Sequence, residues 1–324
     1  MLVTYIEAIR QAMEEEMTRD PNVMLLGEDV GVLGGAFKVS AGMREKFGPD
    51  RVVDMPISES MIVGGGVGLA VQGMRPILEM QFIDFISCAF DQIVNTAATL
   101  RYRHGGQTAC PIVVRGPSGG GVHGGLYHSQ NPEAWFFHVP GLKVVAPSTA
   151  YDAKGLMKSA IRDDDPVIYF EHKFLYRRIK EEIPEGEFVV PIGKAALRRE
   201  GRDLTVLAYG PPAHAAMKAA RDMAKEIDIE VIDLRTLLPL DWQAIKASVR
   251  KTGKLLIVHE ARLTGGIGAE IAARIAQDCF EDLDGPVMRL AARDTHTPFG
   301  AAMEDYVLPN QDKVTEAIRK LAAY

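Results

Sequence analysis

The run DMPISES at 54 to 60 sets one carboxylate, Glu59, directly before MIVGGGVGLAVQG, an apolar and glycine-rich stretch with the composition of a buried helix. Free backbone amides and the helix dipole stabilise an acid there by about 0.3 to 1 kcal/mol when it is exposed. Ser58 or Ser60 can cap the same helix, so helix capping alone accounts for part of the pattern. A carboxylate facing an apolar run is also partly dehydrated, which is how proton-exchanging acids are built. A second concentration of chemistry is GPSGGGVHGGLYHSQNPEAWFFH. It formally contains a nucleophile-elbow pattern around Ser118 and a dinucleotide-type G-x-G-x-x-G over Gly119, Gly121 and Gly124. Both patterns require a helix to start at the turn. Six of the ten residues from 116 to 125 are glycine, which opposes a helix, so a loop over a pocket is expected. His128 follows that loop. His123, His128 and His138 match no zinc spacing. Downstream of Gln81, Phe82, Phe85 and Phe90 lie beside Asp84 and Asp91, a spacing that suits core packing or an aromatic platform.

Something must position these residues. VMLLG (23 to 27), RPILEMQF (75 to 82), PIVVRG (111 to 116), LKVVAP (142 to 147) and PVIYFE (166 to 171) are continuously apolar, as in strands buried on both faces of a parallel sheet. Charge, proline and glycine take over from 186 to 203, which reads as a linker. Alternation then resumes through DLTVLAY, IEVIDL, KLLIVHE and PVMRLAA with helical stretches between them. The expected organisation is an α/β parallel-sheet domain over 1–185, a linker over 186–203 and a second α/β domain over 204–324.

The 324 residues are 47% hydrophobic and 25% charged with a net charge of −6, an ordinary globular balance without a basic nucleic-acid footprint. Three dispersed cysteines, Cys88, Cys110 and Cys279, give neither a disulfide framework nor a structural zinc site. The acidic amphipathic N-terminus is unlike a targeting peptide, and no apolar run is long enough to span a membrane. A cytoplasmic protein is expected.

GEDVG (27 to 31), DMPISES, FDQIVNTAATLRYRHGGQ (90 to 107), IVVRGPSGGG (112 to 121), HSQNPEAWFFHVPGLKVVAPS (128 to 148), VIDLRTLLPLD (231 to 241) and HEARLTGGIGAEI (259 to 271) occur together in family order. In these stretches the chain resembles the beta subunit of the thiamin-diphosphate-dependent decarboxylating component of 2-oxo acid dehydrogenase complexes. Pyruvate, branched-chain 2-oxo acid and acetoin dehydrogenases share that subunit. The resemblance implies a pyrimidine-binding domain followed by a transketolase C-terminal-like domain. It places Glu59 on the cofactor-activating glutamate, which meets N1′ of the aminopyrimidine and favours the tautomer whose 4′ nitrogen takes a proton from the thiazolium. It places His128 on the active-site histidine of acyl transfer to lipoyl groups, and Phe85 on the aromatic packing against the pyrimidine, with Ile57 and Gln81 nearby. Glu28 and Asp91 fall on acids of a polar passage. Backbone near Ile112, Ala160, Asp163 and Asp165 falls where some members hold potassium.

No G-D-G motif for a magnesium diphosphate occurs in the chain. The resemblance therefore implies an alpha subunit that holds most of the magnesium end, an α2β2 heterotetramer, and an acyltransferase core bound through its subunit-binding domain. An acetoin dehydrogenase beta subunit is the near alternative. A serine hydrolase using Ser118 is the remote one.

Overall fold

The computed structural model describes all 324 residues, which form two compact units: residues 1–118 with 135–192, and 119–134 with 193–324. The first contains β1 (Leu2–Thr4), α1 (Tyr5–Arg19), β2 (Val23–Gly27), α2 (Met43–Phe47), β3 (Val52–Asp54), α3 (Glu59–Val71), β4 (Arg75–Glu79), α4 (Leu100–Arg103), β5 (Val113–Ser118), β6 (Lys143–Val145), α5 (Ala150–Arg162), β7 (Val167–His172) and β8 (Lys180–Glu182). Its main strands run parallel in the order β6-β7-β5-β4-β2-β3. β2, β5 and β7 are buried at every residue, as continuous apolar runs require. α1 and α5 bury their apolar faces against one side of the sheet.

From β2 the chain crosses to β3 on one side and then to β4 on the other, so the connections diverge between the carboxyl ends of β2 and β4. Open parallel sheets place ligands at such a switch point. Gly27 ends β2 there, and a Cβ on it would sit 2.8 Å from the Glu79 Cβ, so only glycine lets the two strand ends approach.

The second unit contains β9 (Ala196–Arg199), β10 (Leu204–Ala208), α6 (Pro211–Asp222), β11 (Ile229–Asp233), β12 (Thr236–Leu238), α7 (Trp242–Thr252), β13 (Leu255–Arg262), α8 (Ile267–Asp278), β14 (Met288–Ala292), α9 (Ala301–Val307) and α10 (Gln311–Ala322). Its sheet has the order β14-β13-β10-β11-β9, parallel except for β9. The switch point here lies between β10 and β13.

The expected boundaries need two corrections. The 186–203 segment is no free linker: Val190 lies in the first core, Phe188 stacks on Tyr151 at 4.7 Å between centroids, and β9 joins the second sheet. Its charges and glycines conceal those few apolar anchors. Residues 119–134 belong with the second unit although they lie far upstream of it in sequence.

Candidate active site

Glu59 opens α3 and is 9% exposed, while Ser58 is the N-cap and accepts from the Met61 amide. The capping role thus falls to Ser58, and Glu59 is left as first-turn charge. Glu28, one residue beyond β2, is also buried, and its Oε1 has no hydrogen-bond partner. Burial raises its pKa, and the negative charges of Glu59, Asp29 and Glu79 raise it further. Gln81, two residues past β4, donates through Nε2 to Asp29 Oδ2 at 3.2 Å. Asp29 itself has φ 57°, an uncommon left-handed conformation for a side-chain-bearing residue.

Ile57, immediately before the cap, is 86% exposed, an apolar side chain presented outward. Phe85 is half-buried on the 3₁₀ turn Ile83–Ala89. Phe82 packs edge-on to Phe37 at 5.4 Å, and Phe90 packs against Trp135 and Phe136, so two of the three phenylalanines serve packing. Asp91 is exposed and accepts from Gln92 and Asn95.

Directly beneath, Arg115 on β5 pairs with Glu79 on β4 and Glu171 on β7, all three buried. The Tyr176 hydroxyl donates to Glu171 Oε2 at 2.7 Å. Neither this triad nor its position under the switch point was legible in the sequence, because its members lie one per strand.

The carbonyls of Ile112, Ala160 and Asp163 lie at strand and helix ends and accept hydrogen bonds from Val167 N, Asp163 N and Arg75 Nη2. The carboxylates of Asp163 and Asp165 are met by Lys143 and Arg101. Backbone oxygens, each with a second lone pair, are the donors this corner offers a monovalent cation. No group of three or more His, Cys, Asp or Glu side chains is arranged to hold a metal ion.

Ser118 ends β5 at 2% exposure, its backbone accepting from Lys173 N, and no helix follows. A nucleophile elbow is therefore ruled out in favour of a buried strand end. The G-x-G-x-x-G stretch likewise opens no α-helix; only a 3₁₀ turn, Gly125–Tyr127, follows.

His128 follows that turn, half-buried, within the second unit. Its loop is bound by acids of the same unit. Glu260 Oε1 accepts from Gly120 N at 2.6 Å and Asn131 Nδ2 at 2.8 Å. Glu304 accepts from Gly121 N at 2.8 Å and His123 N at 3.3 Å, and lies 2.6 Å from His123 Nδ1. Glu133 is fully buried and receives the Tyr209 hydroxyl at 2.5 Å; burial pushes its carboxyl up to about 7. His259 stacks on Tyr209 at 6.4 Å, and burial lowers its imidazole to about 4. Sequence reading missed Glu260 and Glu304; an acid next to a buried strand histidine was the available signal for the first.

The transketolase pyrimidine-binding domain matches residues 2–178, and the transketolase C-terminal domain matches residues 193–314. The 2-oxoisovalerate dehydrogenase subunit beta of Bacillus subtilis is 54% identical across 100% of this chain and 99% of its own length. The chain belongs to the family of 2-oxo acid dehydrogenase E1 beta subunits. The pyruvate dehydrogenase E1 component subunit beta of the same organism is 45% identical over 99% of both chains. An Arabidopsis thaliana mitochondrial 2-oxoisovalerate dehydrogenase subunit beta 2 is 48% identical over 98% of this chain and 88% of its own. Among solved structures, a split-gene transketolase in an inactive beta4 tetramer superposes with a TM-score of 0.80 at 22% identity, covering 99% and 98% of the two chains, which supports the fold. The E1 beta subunit is an oxidoreductase component, its pyrimidine-binding domain implies thiamin diphosphate, and its family naming implies an alpha partner. No helix is long and apolar enough to cross a membrane.

Proposed function

We propose that this E1 beta subunit serves a branched-chain 2-oxo acid dehydrogenase, joins an alpha subunit in an α2β2 tetramer, and passes acyl groups to lipoyl arms of an acyltransferase core. Full-length identity of 54% to a 2-oxoisovalerate enzyme, against 45% to a pyruvate enzyme, supports the branched-chain substrate. The observation that carries the mechanism is the buried carboxylate of Glu59 in the first turn of α3, before the β2/β4 switch point.

The orphaned Glu28 Oε1 and the half-buried Phe85 suit an aminopyrimidine. Thiamin diphosphate, when bound, supplies the electron sink for decarboxylation. Glu59 would hold a proton toward ring nitrogen N1′ and so would set the tautomer. Phe85 and Ile57 give apolar contact, and Gln81 with Asp29 gives a polar edge. Glu28 stays protonated more readily than an exposed acid and lines the polar passage together with Asp91. His128 holds or moves a proton during transfer to the lipoyl group. The alpha subunit holds most of the magnesium. A potassium ion, where bound, would be held by backbone oxygens near Ile112, Ala160, Asp163 and Asp165 and would supply a structural charge there.

The test is co-expression with an alpha subunit and dye reduction with thiamin diphosphate and magnesium against pyruvate, branched-chain 2-oxo acids and acetoin. The expected result is activity requiring both chains and favouring branched-chain acids. Preference for pyruvate or acetoin would replace the substrate assignment, and activity from this chain alone would overturn the split site.

A further inference from the structure

We infer that the second unit uses its own ligand crevice as a clamp for residues 119–134, and that Glu260, Glu304 and Tyr209 are positioning residues for His128; the role of His128 rests on the function proposed above.

The crevice is the switch point between β10 and β13, where an open α/β sheet ordinarily takes a small molecule. Tyr209 directly follows β10 and Glu260 lies near the carboxyl end of β13. Both reach residues of the same loop: Tyr209 meets Glu133, and Glu260 meets Gly120 and Asn131. Glu304 on α9 adds Gly121 and His123. The Gly120 amide and the Asn131 side-chain amide occupy the place of a ligand's donors, and the Glu133 carboxylate that of an acceptor. Carboxylates accepting backbone N–H bonds are among the stronger hydrogen bonds in proteins.

The fixation reaches both sides of His128. Its amide donates to Gly125 O at 3.3 Å, and a Cβ on Gly125 would lie 2.3 Å from the Phe299 ring. On the other side Ser129 is buried, and its carbonyl accepts from the Thr297 hydroxyl at 3.2 Å. Gly119 N bonds Gln130 O at 3.0 Å and closes the neck of the loop. A Cβ on Gly120 would fall 2.5 Å from Leu308 and 3.0 Å from Glu304 Oε1, so the carboxylate grips bare backbone. Glycine density, which kept this segment from forming a helix, is what lets two carboxylates reach its main chain.

Glu304→Gln retains shape and one acceptor oxygen but loses the charge that serves two amides and an imidazole. In the complex with the alpha subunit, hydrogen exchange at Gly121 and His123 should accelerate by ~10-fold or more. The rate of reductive acylation of a free lipoyl domain should fall by a similar factor, with KM for the 2-oxo acid within about twofold of wild type. The double variant Glu304→Gln/His128→Asn should be no slower than His128→Asn alone, because both changes remove one function. Tyr209→Phe, which keeps the ring packing, should accelerate exchange at Ala134 and Glu133. Unchanged loop protection in both variants overturns the clamp. Multiplicative losses in the double variant overturn the link to His128. If the wild-type complex turns over no 2-oxo acid, the function above fails, and the exchange comparison still decides the clamp.

Discussion

Two switch points in one chain differ in how they meet the acids Glu28 on one side and Glu260 and Glu304 on the other. In the first unit Glu28 keeps an oxygen without a partner beside Glu59, and burial with like charge raises its proton affinity. In the second, Glu260 and Glu304 are buried too, yet each accepts from backbone amides of 119–134. The same architecture thus yields one crevice that leaves Glu28 short of a partner and one that meets Glu260 and Glu304 with its own backbone, although Glu133 in the second also keeps its Oε2 without a partner. An unsatisfied buried acid costs stability, whereas a satisfied one is spared that cost. The first unit also separates the two cases at adjacent strand ends: Glu79 is matched by Arg115, while Glu28 is not.

The sharpest break in this comparison is Glu59→Gln. It should lower turnover of the assembled enzyme by ~10²-fold or more while leaving assembly and melting near wild type, measured by dye reduction and calorimetry on the same preparation. Near wild-type turnover would remove Glu59 from the chemistry. Arg115→Met tests the satisfied partner of that pair. It strands Glu79 and Glu171 in the core and should cost about 3 to 5 kcal/mol in urea unfolding.

Glu133 is the second unit's counterpart of Glu28, and it carries the comparison to pH. Its carboxyl is raised to about 7 when folded, so between roughly pH 4.5 and 7 the native state binds more protons than the unfolded one. Stability contributed at low pH is therefore lost as pH rises across that window, by roughly 3 kcal/mol at most. Glu133→Gln should flatten urea midpoints measured from pH 5 to 8; an unchanged pH slope would mean that another group titrates. Ser58→Ala is the smallest change, costing about 0.5 to 1 kcal/mol through the lost cap without displacing Glu59 from the first turn.

Much of the fold was legible because buried parallel strands are continuously apolar: VMLLG, DLTVLAY and IEVIDL correspond to β2, β10 and β11 nearly residue for residue. The buried, first-turn position of Glu59 was legible because an acid before an apolar glycine-rich helix is conspicuous. Glu28 and Gln81 needed the resemblance, since only the strand crossover brings them to one edge. The Glu79–Arg115–Glu171 triad was illegible because its members are separated by 36 and 56 residues and linked by sheet register alone. The allegiance of 119–134 was hidden for the same reason, as local pattern carries no information about a carboxylate that arrives 183 residues later.

That separation has a consequence for how the polypeptide matures on the ribosome. The segment 119–134 is synthesised first, and its partner Glu304 is translated 183 residues after Gly121. The C-terminal half cannot assemble around its crevice without an excursion contributed by the N-terminal half, so the two are folding-dependent despite each having its own core. Long-range closures of this kind slow folding and prolong exposure of apolar surface. Cutting the gene between residues 192 and 193 is therefore expected to yield a C-terminal fragment with an open, aggregation-prone crevice, and a peptide covering 119–134 is the piece that would restore it.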